Sequence, residues 1–414
     1  MKFEFWTTPG HTHIKAILED GEDGSGKREE GAGTLLHLEE TTVTFDYEVN
    51  DIHPDVLGLL CMVIFYPFIG ESVEFPKPVS HRLYDAFNTP CFLSRKSIEF
   101  RNLSSEVPLY QGTEKMALSF GGGIDSSAVR AMFPEAFIVH EAHTKDGIEV
   151  KSHSAEVVRS FGKDKGMVIT TNARYLNKPG GWATWPCSIC TSLLLATDMG
   201  FGIILTGSIL GSSFLWNGSR YWDRLAARKI HGPSGNYWQS TFEAIGLPMF
   251  SPVTGVSEFQ TMTLSLPYLN CNEVVYCQES DGHPCFKCTK CFRRDVIRSF
   301  VSKDYQSNWE PYNTEFIKQF LQKRPLYFGH IFSTATSISP ERFPKWVLDA
   351  VSDDVQPIQR DWAMRCYMKS FDLCHPQWSI LIQKRVAEFI KPMTPEDVAE
   401  MHLWDQTNLT PKEE

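Results

Sequence analysis

The sequence predicts an α/β fold, in which a parallel sheet with helices on both faces forms the middle of the chain. Short apolar segments alternate with helical segments over residues 111–299, and this alternation requires right-handed crossovers between parallel strands. Strands and helices are mixed over residues 1–110, whereas helical periodicity dominates residues 300–414. We therefore expect an N-terminal α+β unit, a central α/β domain and a helical C-terminal domain.

The first segment, residues 1–110, is predicted to be a small α+β unit. The stretches "KFEFW" and "TTVTFDYEV" alternate as strands do. Between them, "EDGEDGSGKREEGAG" is polar and rich in glycine, which predicts a mobile loop. "HPDVLGLLCMVIFYPF" predicts a buried helix, and "SIEFRNL" predicts a further strand.

The central and C-terminal segments have clearer patterns. Strands are predicted at "KMALSF", "AFIVHEA", "GMVITT" and "GIILTG", with helices at "VKSHSAEVVRSFG" and "CTSLLLATDMG". Helical periodicity continues at "TEFIKQFLQKR", "FPKWVLDAVSDD", "QRDWAMRCYMKSFDL" and "WSILIQKRVAEFI".

The composition argues against nucleic acid and membrane partners. The 414 residues carry a formal net charge of −10, with a sequence pI of about 5.8. The start, "MKFEFWTTPGHTH", lacks the features of a secretory signal, and no apolar run is long enough to span a membrane. Five of the eleven cysteines lie between Cys271 and Cys291, which favours metal binding in a reducing compartment. We expect a cytoplasmic protein that acts on a small molecule or another protein.

Three consecutive glycines, residues 121–123, separate the first predicted strand of the central segment from a helix. In an open parallel sheet this loop lies at the ligand-binding edge. Glycines let backbone N–H groups approach an anion, and the following helix adds its positive N-terminal end. Asp125, Ser126 and Ser127 lie in the first helical turn, where their oxygens can bind phosphate or a metal ion. No G-K-[ST] follows, so the loop is not a Walker A motif, and we expect a nucleotide phosphate here.

The stretch "GGGIDSS" resembles the SGGxDS signature of the PP-loop ATP pyrophosphatases, which cleave ATP between its α- and β-phosphates. The resemblance implies a Rossmann-like fold of the adenine nucleotide alpha-hydrolase type, with ATP and Mg²⁺ as cofactors and Asp125 and Ser126 as catalytic residues. The nucleotide-binding residues that it implies are Ser119, Phe120, Gly121, Gly122, Gly123, Ile124, Asp125, Ser126, Ser127 and Gly207. Gly121 departs from the signature, which has serine there, and Ser119 and Ser127 are the candidates to supply that hydroxyl.

A second motif, "YCQESDGHPCFKCTKCFRR", contains Cys277, Cys285, Cys288 and Cys291. Four thiolates on tight turns can close a tetrahedral shell around Zn²⁺, which leaves no open position and predicts a structural role. An iron–sulfur cluster is the alternative, because C-x2-C-x2-C also occurs in ferredoxins. Cys271 is interpreted as a bystander. The basic residues of the motif, which can balance thiolate charge or reach an anionic ligand, are Lys287, Lys290, Arg293 and Arg294.

Together, the two motifs resemble the 7-cyano-7-deazaguanine synthase family, whose members carry a PP-loop and a four-cysteine zinc knuckle that ends in basic residues. The resemblance covers residues 115–299, and "CFKCTKCFRR" matches the family's ending. It implies ATP-dependent adenylation of 7-carboxy-7-deazaguanine, amide formation with a nitrogen nucleophile, and dehydration to the nitrile. Relatives also occur in antiphage defence operons, which suggests an alternative in which the deazapurine is transferred to a protein amine.

Two segments depart from that family. Its proline, arginine and asparagine segment is replaced here by "PCSI", and its acidic substrate-facing stretch is replaced by "GSILGSSFLWNGSRYWD". Asp223 is the candidate to replace the lost carboxylate. We interpret Cys187 and Cys190 as part of a packed helix, and His140 and His143 as satisfied polar contacts near the ligand edge.

Two further functions stay open at this point. One is a tRNA-modifying PP-loop enzyme, against which the acidic charge balance and the lack of a recognisable RNA-binding module argue. The other is a non-catalytic nucleotide sensor, for which Gly121 is the best indication. The leading prediction is an ATP-dependent ligase that forms a carbon–nitrogen bond, and a homo-oligomer is possible.

Overall fold

The computed structural model describes residues 1–28, 33–89, 97–215, 236–277, 280, 282–324, 326–351, 358 and 361–404. These residues form two compact units that each contain several separate stretches of the chain. The first unit comprises Met1–Gly121, Glu135–Thr206 and 236–250. The second unit comprises Gly122–Pro134, 207–215 and the described part of 251–404.

All described strands belong to the first unit. Numbered along the chain they are β1 Lys2–Thr8, β2 His11–Ile17, β3 Ser25–Lys27, β4 Leu35–Leu38, β5 Thr42–Phe45, β6 Ser72–Val73, β7 Glu99–Phe100, β8 Lys115–Ser119, β9 Phe137–Lys145, β10 Ile148–Glu149, β11 Gly166–Thr171, β12 Asn177–Lys178, β13 Phe201–Leu205 and β14 Met249–Phe250.

The largest sheet joins nine of these described strands in the order β1-β2-β5-β11-β9-β8-β13-β14, with β10 paired to β9. The central strands β11, β9, β8, β13 and β14 pair in parallel, as the sequence predicts. β8 occupies the middle of this parallel part, so the glycine loop follows an interior strand. The mixed α/β class with a mostly parallel central sheet is therefore confirmed.

The strands of the N-terminal segment continue the same sheet. β1 pairs antiparallel with β2, β2 with β5, and β5 with β11, where Phe45 lies opposite Thr171. Residues 1–110 thus share their sheet with the central segment, and the compact units follow other boundaries than the three segments expected from sequence. The predicted loop at residues 19–33 also contains β3, because Ser25–Lys27 pairs with β4. The prediction of a loop was wrong there, and residues 29–32 lie outside the described residues.

The described α-helices are distributed over both units. They are α1 Pro54–Phe65, α2 His81–Phe87, α3 Ile124–Met132, α4 His153–Ser160, α5 Cys190–Leu194, α6 Ala196–Met199, α7 Leu210–Ser213, α8 Asn236–Ala244, α9 Glu258–Asn270, α10 Thr289–Val301, α11 Glu315–Gln322, α12 Gly329–Ile338, α13 Lys345–Val351, α14 Pro376–Phe389 and α15 Pro395–Leu403.

The start of α1 and the end of α6, two helices of the first unit, are explained by residues at their termini. α1 begins with Pro54 after His53, whose Nδ1 accepts the N–H of Asp55 at 3.2 Å. Its apolar residues are buried on every side, as expected for a helix inside a core. The single helix predicted at residues 190–200 is instead the pair α5 and α6, and Gly200 ends α6 in the left-handed conformation, at φ 67°.

The second unit is helical, which confirms the predicted helical C-terminal region. One stretch differs from the prediction, because "QRDWAMRCYMKSFDL" contains two short 3₁₀ segments, Asp361–Met364 and Met368–Leu373, where an α-helix was expected. Between them Cys366 exchanges backbone hydrogen bonds with Lys391 and Met393, at 2.9 Å each, and this pairing interrupts the helix. In the part of the chain that the structure describes, we find no helix with both the length and the apolar character of a membrane span.

Candidate functional site

The glycine loop begins in the first unit, at the end of β8. Ser119 is the last residue of that strand, and the buried Phe120 donates its N–H to Val139 O at 2.8 Å. Gly121 is exposed, and a Cβ atom placed on it would meet no described protein atom within 4 Å. Neither crowding nor a positive φ in the described structure therefore explains a glycine at position 121.

The second unit contributes the remaining part of the loop. Gly122 has a φ of 72°, a conformation that favours glycine. Gly123 is the N-cap of α3 and has a φ of −83°, which any residue can adopt. A Cβ atom on Gly123 would meet one described atom within 4 Å, Arg294 Nη2, at 3.6 Å. No side chain caps α3, whose first residue is the buried Ile124, so its N-terminus has free N–H groups next to a guanidinium group.

The polar residues of the first turn of α3 have different surroundings. Asp125 is partly exposed, and its Oδ1 accepts a hydrogen bond from Thr261 Oγ1 at 2.7 Å. Ser126 donates its hydroxyl to Gly123 O at 3.1 Å. Ser127 is fully buried, and its hydroxyl has no hydrogen-bond partner among the described residues. The structure thus leaves Asp125 Oδ2 and the Ser127 hydroxyl without a described partner.

Gly207, which the sequence placed in the nucleotide site, packs against this turn. A Cβ atom on Gly207 would lie 2.9 Å from Ser126 N and 3.2 Å from the carbonyl carbon of Asp125. Glycine is required there because the backbone of α3 passes too close for a side chain. Close packing explains this glycine without a ligand contact.

Helix α9 supplies polar residues that the sequence analysis did not assign. Glu258, Thr261 and Ser265 are spaced by three and four residues, so they share one face of the helix. Thr261 contacts Asp125, and Ser265 donates its hydroxyl to Ile124 O at 2.6 Å. Polar residues at this spacing in a mostly apolar helix were the available signal, but the sequence does not reveal which helix they contact.

Helix α10 brings basic residues to the same part of the second unit. Arg293 pairs with Glu258, with Nη2 3.0 Å from Oε1, and its guanidinium lies 3.7 Å from the ring centre of Phe328. Glu258 is buried, and its Oε2 has no described hydrogen-bond partner. Burial raises the pKa of Glu258, and this shift is partly offset by the positive charge of Arg293.

Lys290 adds another cation near this pair. It lies at the surface, yet partial desolvation of its ammonium group lowers its pKa, and Arg294 and Arg293 lower the pKa further. The negative charges of Asp125 and Glu258 raise the pKa of Lys290 and so offset part of this shift. Lys290 therefore interacts electrostatically with both the arginines and the carboxylates of this region.

The four cysteines of the second motif meet at one point, as predicted. The Sγ atoms of Cys277, Cys285, Cys288 and Cys291 all lie within 4.8 Å of one another. The distance is 4.0 Å from Cys277 to Cys288 and 3.7 Å from Cys285 to Cys291. Zn–S bonds of about 2.3 Å in a tetrahedron place sulfur atoms ~3.8 Å apart, so the arrangement fits a single bound metal ion such as zinc.

Backbone N–H groups support these sulfur atoms. Cys285 Sγ accepts the N–H groups of Lys287 and Cys288 at 3.4 Å each, and Cys288 Sγ accepts that of Cys291 at 3.3 Å. Although burial acts to raise it, these N–H donors lower the pKa of Cys285 to about 7. Burial raises the pKa of Cys288 and Cys291, so a metal ion that binds this cluster must displace protons from those two thiols. The exposed Cys271 is not part of the cluster.

A separate polar cluster lies in the first unit, along β9. The buried carboxyl group of Glu141 accepts the Trp182 Nε1–H at 3.0 Å and the Cys190 thiol at 3.4 Å. Burial raises the pKa of Glu141 to about 7, although the hydrogen bond from Trp182 acts to lower the pKa. His143 Nδ1 lies 3.4 Å from Glu141 Oε1, and burial lowers the pKa of His143 to about 4. A carboxyl group that titrates near neutral pH is a candidate functional group.

The remaining sequence candidates have simpler surroundings. His140 contacts Phe120 O at 2.7 Å and Ser152 Oγ at 3.4 Å, so both ring nitrogens have partners, as its interpretation as a satisfied polar contact requires. Cys187 and Cys190 are buried in and beside short helical segments, which fits the interpretation of a packed helix. Asp223 lies outside the described residues.

Comparison with known proteins gives a match to a family model over part of the chain. Residues 237–405 match the sequence model of a family of unknown function, DUF6395. The matched region includes Glu258, the four cysteines and Arg294, and it begins after the glycine loop. No curated protein matches the chain, and no solved structure matches it.

Proposed function

We propose that this protein binds ATP at the glycine loop and uses it to activate a carboxylate. The observation that carries the proposal is Gly123, an N-cap without a side chain, which leaves the first N–H groups of α3 free to bind an anion. Neither its φ of −83° nor crowding at its Cβ position requires glycine there, although glycine is itself a common N-cap residue. A phosphate group that contacts the backbone at a helix N-terminus would favour a residue without a side chain at this position.

The charges of the second unit support a phosphate ligand. Arg294 Nη2 lies beside the N-terminus of α3, whose N–H groups add positive potential, and Lys290 and Arg293 lie close enough to interact with the same charges. These groups would stabilise the pyrophosphate that leaves during adenylation. We assign Asp125 to the Mg²⁺ that accompanies ATP, because Mg²⁺ prefers carboxylate oxygens and Thr261 orients this carboxylate.

The proposed substrate is 7-carboxy-7-deazaguanine, on the basis of the sequence resemblance. A carboxylate oxygen would attack the α-phosphorus of ATP, and pyrophosphate would leave. A nitrogen nucleophile would then attack the acyl carbon, and AMP would leave with formation of an amide. No protein nucleophile is needed, so catalysis would depend on positioning and on charge stabilisation.

The metal that we assign to the four cysteines is zinc, in a structural role. Four thiolates complete a tetrahedral shell, so no position is open for a substrate or water. An iron–sulfur cluster would place several iron and sulfide atoms between the thiolates, whereas Sγ atoms 3.7 and 4.0 Å apart suit a single ion. Metal analysis is expected to find one zinc ion per chain and no acid-labile sulfide.

Pyrophosphate release tests the proposed reaction. The purified chain would be incubated with ATP, Mg²⁺ and 7-carboxy-7-deazaguanine, with ammonia as nitrogen source, and the products identified by mass spectrometry. We expect release of AMP and pyrophosphate that depends on the carboxylate, with a loss of about 100-fold or more in Asp125→Ala. The exposed Asp304→Ala in the same unit is the matched control and should retain full activity.

The outcomes separate the candidate functions. Formation of amide or nitrile supports the ligase, and a stable adenylate without amide points to a protein amine as the acceptor. ATP binding without pyrophosphate release for any carboxylate tested would overturn the enzymatic proposal and favour a nucleotide sensor.

A further inference from the structure

The segment before the first metal ligand connects the metal centre to the glycine loop within the second unit. Val275 donates its N–H to Gly122 O at 2.8 Å. Two residues later, Cys277 contributes its thiol to the four-cysteine cluster. Between them, Tyr276 donates its N–H to Gly282 O at 2.7 Å, which holds this segment against the cysteine loop. Only Tyr276 separates the residue that contacts the glycine loop from a metal ligand.

Arg294 makes a second connection between the same features. Its Nη1 donates to Val275 O at 3.1 Å and also to Tyr276 O. Its Nη2 lies 3.6 Å from the position of a Cβ atom on Gly123, so the guanidinium reaches the open space at the N-terminus of α3. Arg294 is only 6% exposed, and its direction is therefore set by these backbone contacts.

The metal ligands also determine where Arg294 lies. Helix α10 begins after Cys288, whose Sγ accepts the Cys291 N–H, and Cys291 lies in the first turn. Arg294 follows Cys291 by three residues, so both lie on the same side of α10. A metal ion that holds Cys288 and Cys291 fixes the start of this helix, and the same ion holds Cys277 at the end of the segment that Arg294 contacts.

We propose that the four-cysteine metal centre is a positioning device for the phosphate site: by fixing Val275 and Arg294 against the glycine loop, the bound metal raises the affinity for ATP. This inference rests on the proposed function. Arg294 acts as a phosphate-binding residue, and the four cysteines act through it and through Gly122. Because coupling between two ligands is reciprocal, bound ATP must also retain the metal more strongly.

Two measurements on the full chain test this coupling. Metal release to a zinc-selective chelator is followed with and without saturating ATP and Mg²⁺, and ATP affinity is measured by calorimetry. In the metal-loaded parent chain, ATP should reduce metal loss at equilibrium. Arg294→Ala should lower ATP affinity by about 10- to 100-fold, the range typical of a hydrogen bond to a charged group, while it retains one metal ion per chain. Arg294→Lys should restore part of the affinity.

Matched variants control for general effects. Arg298→Ala removes a neighbouring arginine of α10 that packs on Tyr305, and Cys271→Ser removes an exposed cysteine outside the cluster. Both should leave ATP affinity and the effect of ATP on metal release unchanged. The ATP affinities are measured on metal-loaded protein, so the comparison of Arg294→Ala with its controls remains decisive even if metal-free protein unfolds.

The possible results distinguish the inference from the function on which it rests. If the parent chain binds ATP, but ATP does not affect metal retention and Arg294→Ala binds ATP equally well, the coupling is refuted and ATP binding stands. If the metal-loaded parent chain binds no ATP, the proposed function and the coupling are both refuted.

Discussion

Two adjacent residues of the loop illustrate how the same residue type can serve different physical purposes. Gly122 has a φ of 72°, and an L-residue with a side chain is strained in this conformation. Gly123 has a φ of −83° and open space around it. The conformation of Gly122 requires glycine, whereas neither the backbone conformation nor crowding requires glycine at position 123.

This distinction predicts opposite effects on stability. Gly122→Ala should lower the free energy of unfolding by about 1–2 kcal/mol, because alanine is strained at positive φ. Gly123→Asp should leave it unchanged or raise it by up to about 1 kcal/mol, because aspartate caps the free N–H groups of α3 and faces Arg294. Chemical denaturation measures both variants. A Gly123→Asp chain as unstable as Gly122→Ala would contradict this account.

Glu141 predicts a pH dependence in the first unit. Its pKa rises from 4.5 to about 7 because burial disfavours the ionised form. Between these values the folded chain binds more protons than the unfolded chain, so the stability that protonated Glu141 contributes is lost as pH rises through about 7. Relative to Glu141→Gln, the free energy of unfolding of the parent chain should fall by up to about 3 kcal/mol from pH 4.5 to above 7.

Denaturation of both chains across this pH range tests the prediction. His143, whose pKa is lowered to about 4, acts in the opposite direction, so the difference between the parent chain and the variant is the relevant quantity. The exposed Glu114→Gln is the control and should follow the parent chain. Parallel curves for the parent chain and Glu141→Gln would show that Glu141 does not titrate in this range.

At the scale of elements, helix α10 is anchored by a buried carboxylate. Asp295 is fully buried and accepts hydrogen bonds from the hydroxyl groups of Tyr276, Tyr305, Ser307 and Tyr312. Four donors satisfy both carboxylate oxygens, which explains how this charge is tolerated in the interior. Asp295 and its four hydroxyl donors form a hydrogen-bonded hub. This hub connects the segment before the first metal ligand to the residues that follow α10.

Asp295→Asn should therefore destabilise the second unit. An amide keeps the volume but removes the charge and replaces one acceptor oxygen with a donor, which leaves hydroxyl groups without an acceptor. We expect the free energy of unfolding to fall by about 2–4 kcal/mol in chemical denaturation. The exposed Asp304→Asn should change it by less than about 0.5 kcal/mol. Equal stability of the two variants would refute the role of this hub.

The secondary-structure elements also show which features local sequence patterns can predict and which they cannot. The central strands and the cysteine cluster were predictable, because alternation and C-x2-C-x2-C spacing are local signals. The contact of Thr261 with Asp125 was not, since it joins residues that are far apart in sequence. The pairing of β5 with β11 was missed for the same reason. At residues 361–373, backbone pairing with distant residues overrode a helical pattern.

At the scale of the whole molecule, the family match does not coincide with a compact unit. Residues 237–405 include α9 but lack α3, which packs along α9 in the second unit. The match also starts within residues that belong to the first unit. The second compact unit is assembled from segments that lie far apart in the sequence, whereas the family match covers one continuous segment.

A fragment of residues 237–405 should therefore fold poorly, even with zinc. Without α3, the polar face of α9 loses the partners of Thr261 and Ser265 and exposes the surface that α3 covers. We expect binding of a hydrophobic dye and weak amide protection in hydrogen exchange, with the full chain as control. A fragment that unfolds cooperatively with the protection pattern of the full chain would show that α3 is dispensable.

The central claim is that the glycine loop binds ATP, and a calorimetric titration with ATP and Mg²⁺ tests it most directly. The parent chain should give saturable binding at one site per chain, and Gly123→Asp should remain folded but lose this binding, because its carboxylate fills and charges the space next to α3. No binding to the folded parent chain, or equal binding to Gly123→Asp, would contradict the account.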